Sequence, residues 1–258
     1  MKGPLTFLSG SRYLFRRLRN NLHIRSRTYH NNNKMTNIVV EGNIGSGKTT
    51  FLEYFNNMPG IQVVEEPIDS WRNVKGHNVF GLMYQDATRW SLTFQTYVQL
   101  TMVQMRTRKQ THPTRLMERS IYSAKYCFVE NLYRSGKMPD CEYAVLTEWF
   151  DWLISNIDLK MDLMVYLRTS PENCLKRIKE RHRSEETGIS LQYLQVLDKL
   201  HDEWLIENKY FPLPSPVLVL DGNLELPEML KMFEKNCDKI LMQNNDSRNG
   251  GRVQVNSK

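Results

Sequence analysis

Between Thr36 and Glu41 (TNIVVE) β-branched side chains stand in a row and stop at a glycine, the pattern of a buried strand. Helical sequence follows from Lys48 to about Asn57, ended by Pro59-Gly60. Ile61 to Glu65 reads as a second strand closed by Pro67. From Phe94 to Arg108 the chain has neither Gly nor Pro, and Val98, Leu100, Met102, Val103 and Met105 predict a long buried helix. Arg115 to Glu118 is a short strand, Ser120 to Leu132 a helix, Arg134 to Pro139 a loop, and Tyr143 to Ile157 a helix. Asp162 to Leu167 (DLMVYL) is another strand run. Ser170-Pro171-Glu172 then opens a helix, with Ser as N-cap and Pro at the first helical position. Leu191 to Asn208 predicts a further helix, Pro216 to Leu220 the last strand and Pro227 to Met242 the last helix. Residues 243–258 are a polar tail. Strands alternating with helices call for parallel crossovers, so residues 35–242 are expected to form one α/β domain, a parallel sheet with helices on both faces.

With 258 residues, 40% hydrophobic and 24% charged, the chain is long and apolar enough to bury a core without disulfides. No run of 18 apolar residues occurs, so no membrane span is expected. The formal charge of +7 suggests a polyanion partner until its location is noted. Residues 1–40 hold eight Lys/Arg and no acid, which leaves 27 basic against 28 acidic side chains in the rest. The body therefore offers no electrostatic case for nucleic acid. Four scattered cysteines fit free thiols in a reducing compartment.

The basic excess belongs to residues 1–34. On a helix over Tyr13 to Arg25, Leu14, Leu18 and Leu22 share one face, and Arg12, Arg16 and Arg19 lie on the other. An acid-free, Arg-rich amphipathic segment is the pattern of a mitochondrial presequence, which addresses the chain to the matrix. Translation from Met35 would yield the domain without that address, a cytosolic form.

The chemistry begins directly after the first strand. Gly42-Asn43-Ile44-Gly45-Ser46-Gly47-Lys48-Thr49 matches GxxxxGK[ST] in full, between a predicted strand and a predicted helix. Its glycines let successive backbone N–H groups face one anion, and the following helix, opening with Thr49-Thr50, adds its dipole. Lys48 is expected on the β/γ-phosphates of ATP and the Thr49 hydroxyl on Mg²⁺.

An acceptor site must face those phosphates. Glu66 follows the second strand at the carboxyl edge where ligands bind in open parallel sheets, while alternation sends Glu65 to the other face. Glu66 is therefore the expected base. Glu118-Arg119-Ser120 reaches the same edge, with Arg119 placed to keep Glu66 ionised and Glu118 to complete the Mg²⁺ shell through water. Arg177, Arg181 and Arg183 suit a lid over the phosphoryl group, although a solvated helix face has the same pattern. Trp71, Tyr84, Gln95, Met102 and Phe128 suit a flat apolar slot with an amide at its edge, as a heterocyclic base requires. For Met102 and Phe128, core packing is the plainer reading.

VEGNIGSGKTT, EEPIDSW, GLMYQD, FQTYVQLTM, MERSIYSAKYCFVENLYRSGK, DLMVYLRTSPE and RSEE occur in the order seen in deoxyribonucleoside kinases. The resemblance covers about residues 37–222. It is closest to the mitochondrial members that phosphorylate thymidine and deoxycytidine, with the insect multisubstrate kinase also similar. It implies a P-loop kinase fold with a five-stranded parallel sheet, a homodimer, and feedback inhibition by the end-product triphosphate. It also makes Glu66 the base on the 5′-hydroxyl, braced by Arg119. Gln95 would then read the base edge, Phe128 and Trp71 would pack on the ring, and Tyr84 with Glu186 would hold the 3′-hydroxyl, Tyr84 crowding a ribose 2′-hydroxyl. Met83 belongs to the same slot, and Val98, Met102 and Ala124 match the pyrimidine-preferring members. Glu65 departs from the family by setting a second acid beside the base. The competing expectations are a multisubstrate kinase that also takes purines, a thymidylate kinase, which Glu66 disfavours by repelling an acceptor phosphate, and a catalytically silent structural subunit with the same fold.

Overall fold

The structure is a computed structural model that describes residues 35–242. The expected presequence of residues 1–34 and the tail of residues 243–258 lie outside the described residues. Five strands, β1 (Thr36–Glu41), β2 (Ile61–Val64), β3 (Thr114–Glu118), β4 (Leu163–Arg168) and β5 (Val217–Asp221), form one parallel sheet in the order β2-β3-β1-β4-β5. The helices are α1 (Lys48–Phe55), α2 (Ile68–Arg72), α3 (Val79–Gln85), α4 (Ala87–Thr107), α5 (Ile121–Ser123), α6 (Glu130–Arg134), α7 (Asp140–Asn156), α8 (Pro171–Arg181), α9 (Leu191–Leu205), α10 (Leu226–Lys235) and α11 (Cys237–Ile240).

Strand alternation divides the core in two. Ile38, Val40, Leu116, Leu163, Val165 and Leu167 join Phe51 and Phe55 of α1 and Phe233 of α10 in one cluster. Val39, Met117, Met164 and Tyr166 point the other way, into a larger cluster with Phe94 and Met102 of α4 and Leu194 and Trp204 of α9. Each large side chain so buried contributes on the order of 1.5–3 kcal/mol, so both faces of the sheet are held by burial.

The structure departs from the sequence reading mainly in four stretches. The long helix starts at Ala87 because Asp86 caps it, its carboxylate accepting from the Arg89 N–H at 3.2 Å. The run after β3 is not uniform: α5 and α6 flank a π-helical segment, Ala124–Val129. The last helix breaks at Asn236 into α10 and α11. Helices α2 and α3 fill a stretch for which no element is predicted.

The topology places the site. The chain leaves β1 through α1 toward β2 on one side, and β4 returns on the other side of β1. Ligands gather at such a divergence, beyond the carboxyl ends of the strands. Val40 of β1 is in register with Glu118, the last residue of β3, so the loops after β1 and β3 emerge side by side.

Candidate active site

The glycine loop leaves β1 in a conformation that other residues would not tolerate. Gly45 has φ +80°, and a Cβ there would lie 2.6 Å from the Cys174 carbonyl oxygen on α8. Gly42 has φ +143°, with a Cβ position 2.7 Å from the Leu167 carbonyl oxygen. The Lys48 ammonium arches back over the loop and donates to the carbonyls of Asn43 at 2.8 Å and Gly42 at 3.3 Å. Burial, with Arg119 adding repulsion, lowers Lys48 to about 8, so it remains largely protonated at neutral pH. The Asn43 side chain accepts from the Ile44 N–H and donates to the Leu194 carbonyl, both at 2.8 Å, which ties the loop to α9. The Ser46 hydroxyl is buried without a hydrogen-bond partner, which is what an anion in the loop would supply. Thr50 follows in the first turn of α1.

Glu66 and Arg119 meet as the sequence suggests. The Arg119 Nε lies 2.8 Å from Glu66 Oε1, and its NH1 donates to the Gly42 carbonyl at 2.8 Å. One guanidinium thus joins the expected base to the phosphate loop. Arg119 sits at φ +61°, in the left-handed region that a non-glycine residue adopts only under constraint. Glu65 is exposed. Burial, followed by the charge of Glu66, raises the Glu118 carboxyl above its ordinary value, and Glu65 adds a smaller push. Thr49 Oγ1 stands 3.4 Å from Glu118 Oε1. A hydroxyl paired with a carboxylate is a donor set that a hard cation such as Mg²⁺ would take, so the residues present fit both a nucleotide phosphate and its metal.

A single cavity of about 830 Å³, including its open mouth, is lined by most of these residues. Ile44, Gly45, Lys48, Thr49, Glu66, Glu118 and Arg119 lie on its wall together with Trp71, Met83, Tyr84, Gln95, Val98, Met102, Ala124 and Phe128, and with Arg181, Arg183 and Glu186. Gln95 is buried and its amide oxygen has no hydrogen-bond partner, as suits a group that reads the edge of a ligand. Trp71 is fixed by its indole N–H, which donates to Thr101 Oγ1 at 2.9 Å. The Arg119 guanidinium lies over the Phe128 ring, 4.7 Å from its centroid. Ala124 and Phe128 both reach the cavity from the π-helical segment, a distortion often found at functional sites. Burial raises Tyr84 well above its ordinary value, so its hydroxyl stays a donor.

The arginines separate into two groups. Arg181 and Arg183 flank Glu186, with nitrogens 2.6 and 3.3 Å from its carboxylate oxygens. Arg177 is not on the cavity wall. Its guanidinium donates to the carbonyls of Leu224 at 2.9 Å and Ser46 at 3.4 Å, and so braces the glycine loop from α8.

The sequence reading missed Ile68, Phe80, Phe94, Ser120, Leu132 and Tyr193, all of which line the cavity. Tyr193, in the first turn of α9, carried no motif, and burial pushes its hydroxyl up to about 12. Glu41, the last residue of β1, was also missed as a site residue. It is fully buried and accepts from the Ser120 hydroxyl at 2.6 Å.

Comparison with known proteins agrees with this geometry. The deoxynucleoside kinase family profile matches residues 38–247. Human mitochondrial thymidine kinase 2 is 57% identical over 212 residues, covering 82% of this chain and 80% of the relative. Human deoxycytidine kinase is 35% identical over 238 residues, covering 81% and 92%. Chicken deoxycytidine kinase 2 is 34% identical over 220 residues, covering 74% and 83%. With a glycine loop, a carboxylate–arginine pair and an apolar slot on one cavity, and with this extent of match, the chain belongs to the deoxynucleoside kinase family.

Proposed function

We propose that the chain transfers the γ-phosphoryl group of ATP to the 5′-hydroxyl of pyrimidine deoxyribonucleosides, thymidine and deoxycytidine, in nucleotide salvage. The observation that carries this reading is one continuous cavity running from the glycine loop to the apolar slot, with the Glu66–Arg119 pair on its wall. By their names, the relatives act on thymidine and deoxycytidine, which supports the choice of acceptor.

When bound, ATP supplies the phosphoryl group and Mg²⁺, held by Thr49 and Glu118, neutralises phosphate charge. Glu66 accepts the proton of the 5′-hydroxyl as that oxygen bonds to phosphorus and ADP leaves. Arg119 keeps Glu66 ionised and orients the hydroxyl. Lys48 and the loop N–H groups stabilise charge on the phosphates, and Arg181 and Arg183 add positive charge from the lid. Gln95 reads the base edge, Trp71 and Phe128 pack on its ring, and Val98, Met102, Met83 and Ala124 shape the slot for a pyrimidine. Tyr84 and Glu186 hold the 3′-hydroxyl.

The test is a set of initial rates with Mg-ATP on thymidine, deoxycytidine, deoxyadenosine, deoxyguanosine and uridine. Turnover confined to the two deoxypyrimidines is expected, with inhibition by thymidine triphosphate. Comparable purine rates would make it a multisubstrate kinase, and no turnover would favour a silent scaffold. The same preparation is expected to sediment as a homodimer. Helix α7 exposes Val145, Trp149 and Trp152, the two indoles stacked at 12° with centroids 5.6 Å apart, an apolar stripe suited to a second copy.

Residues 1–34 are read as the mitochondrial address, residues 35–242 as the kinase domain and residues 243–258 as its tail. A fluorescent reporter fused behind residues 1–34 is expected in the mitochondrial matrix, and a diffuse cytosolic signal would refute the address. No helix among the described residues is long and apolar enough to cross a membrane.

A further inference from the structure

We infer that Arg72 is a positioning residue for the nucleoside: by clasping Glu185 it fixes the neighbouring Glu186 on the cavity wall. The inference rests on the nucleoside-kinase reading and names a residue that neither the glycine loop nor the slot explains.

Arg72 is the last residue of α2, and Glu185 lies 113 positions further along the chain in the short 3₁₀ turn Ser184–Glu186. Their contact is a two-pronged ion pair, with Nε 2.8 Å from Oε1 and NH2 2.9 Å from Oε2. Such fork-to-fork pairing fixes direction as well as distance. The Glu185 side chain is only 8% exposed, so the pair is shielded more than an ordinary surface bridge. Arg72 holds the Glu185 carboxyl down at about 2, so the pair is charged on both sides throughout the working pH range.

The surroundings give the clasp its consequence. Asn78 caps α3, accepting from the Gly81 N–H at 2.8 Å, and its amide nitrogen lies 3.5 Å from Glu185. The turn is thereby held against the end of α2 and the start of α3. Trp71 precedes Arg72, and α3 carries Met83 and Tyr84, so the clasp sits between two elements that line the slot. On the turn itself, Glu186 is buried between Arg181 and Arg183 and lines the same cavity. The clasp residue Glu185 is thus directly adjacent to a cavity carboxylate. Among the described residues that carboxylate is ion-paired with Arg181 and Arg183, arginines of its own segment, which would carry it along if the turn moved.

The experiment compares Arg72→Met, Arg72→Lys and the exchange Arg72→Glu with Glu185→Arg in the full chain. The measured quantities are kcat, KM for thymidine, KM for ATP, and amide hydrogen exchange over residues 183–189. Arg72→Met should raise the thymidine KM about tenfold, the effect of losing about 1.4 kcal/mol of positioning, with the ATP KM within about twofold. Arg72→Lys keeps the charge but not the fork, and should fall between. The exchange should recover most of the loss, and exchange in the turn should be faster in Arg72→Met than in wild type. Equal loss in both KM values without recovery on exchange would overturn the inference. So would unchanged thymidine KM in Arg72→Met. If the wild type phosphorylates no nucleoside, the proposed function fails separately, and unaltered amide exchange in Arg72→Met would then refute the clasp by itself.

Discussion

Glu66→Gln is expected to lower kcat by about 10²–10⁴-fold while thymidine still binds with near-normal affinity, the loss typical of removing a general base. The amide keeps the shape of the side chain and can still accept from Arg119, whose Nε lies 2.8 Å from the carboxylate oxygen it would replace. The slot is therefore preserved, and what is lost is the charge opposite Arg119 and the proposed proton acceptor. The KM-against-kcat split matters because a wall residue that merely shaped the cavity would change binding as well. Glu65→Gln is the control, since Glu65 is exposed and not on the cavity wall, and its turnover should stay near that of wild type. Titration calorimetry gives the affinity and initial rates give kcat. Near-normal turnover in Glu66→Gln would remove the base from the mechanism and leave catalysis to positioning and charge.

What could be read before the structure, and what could not, follows from the range of the forces involved. The glycine loop is local: its spacing, the strand before it and the helix after it all lie between Thr36 and Phe55, and all three are found as expected. The pairing of Glu66 with Arg119 spans 53 positions, yet both follow strands of one parallel sheet, so the rule for strand ends was enough to bring them together. Beyond that, tertiary context decides. Helices α2 and α3 have five and seven residues, too short for a period of 3.6 to emerge from the polar positions between them. The π-helical segment carries no Pro or Gly, and its composition reads as ordinary helix. Arg119 at φ +61° follows from being held to Glu66, to the Gly42 carbonyl and, through its N–H, to the Val40 carbonyl at once. Nothing in Glu118-Arg119-Ser120 alone signals it. Tyr193 reaches the cavity because α9 packs beside the loop through Asn43 and Leu194, a contact across 151 positions.

Glu41 shows the same limit and gives the second large effect, this time on stability. As the last residue of a six-residue strand it reads like any polar strand end, yet it is fully buried, and one carboxylate oxygen has no hydrogen-bond partner. Burial raises its pKa from 4.5 to about 7, against opposing contributions from the Ser120 hydroxyl, Arg119, Ser123 and Lys48. Between those values the folded chain retains a proton that the unfolded chain has released, so stability falls as pH rises through that window. Above it the charged carboxyl costs the fold about 3 kcal/mol, since each pKa unit corresponds to about 1.36 kcal/mol. Glu41→Gln keeps an acceptor for Ser120 and carries no charge in either state. The variant should match wild type near pH 4.5 and exceed it by about 3 kcal/mol at pH 8, on the order of 10 °C in Tm. His201 is lowered to about 3 by burial, so it titrates with the opposite slope, and Asp198 is raised to about 6. Both remain in the variant and cancel in the difference between the two proteins. Urea unfolding at pH 4.5, 6, 7 and 8 measures that difference. If it stays constant across the series, Glu41 carries its charge in the core from its ordinary pKa upward, and Arg119 and Lys48 fully offset its burial.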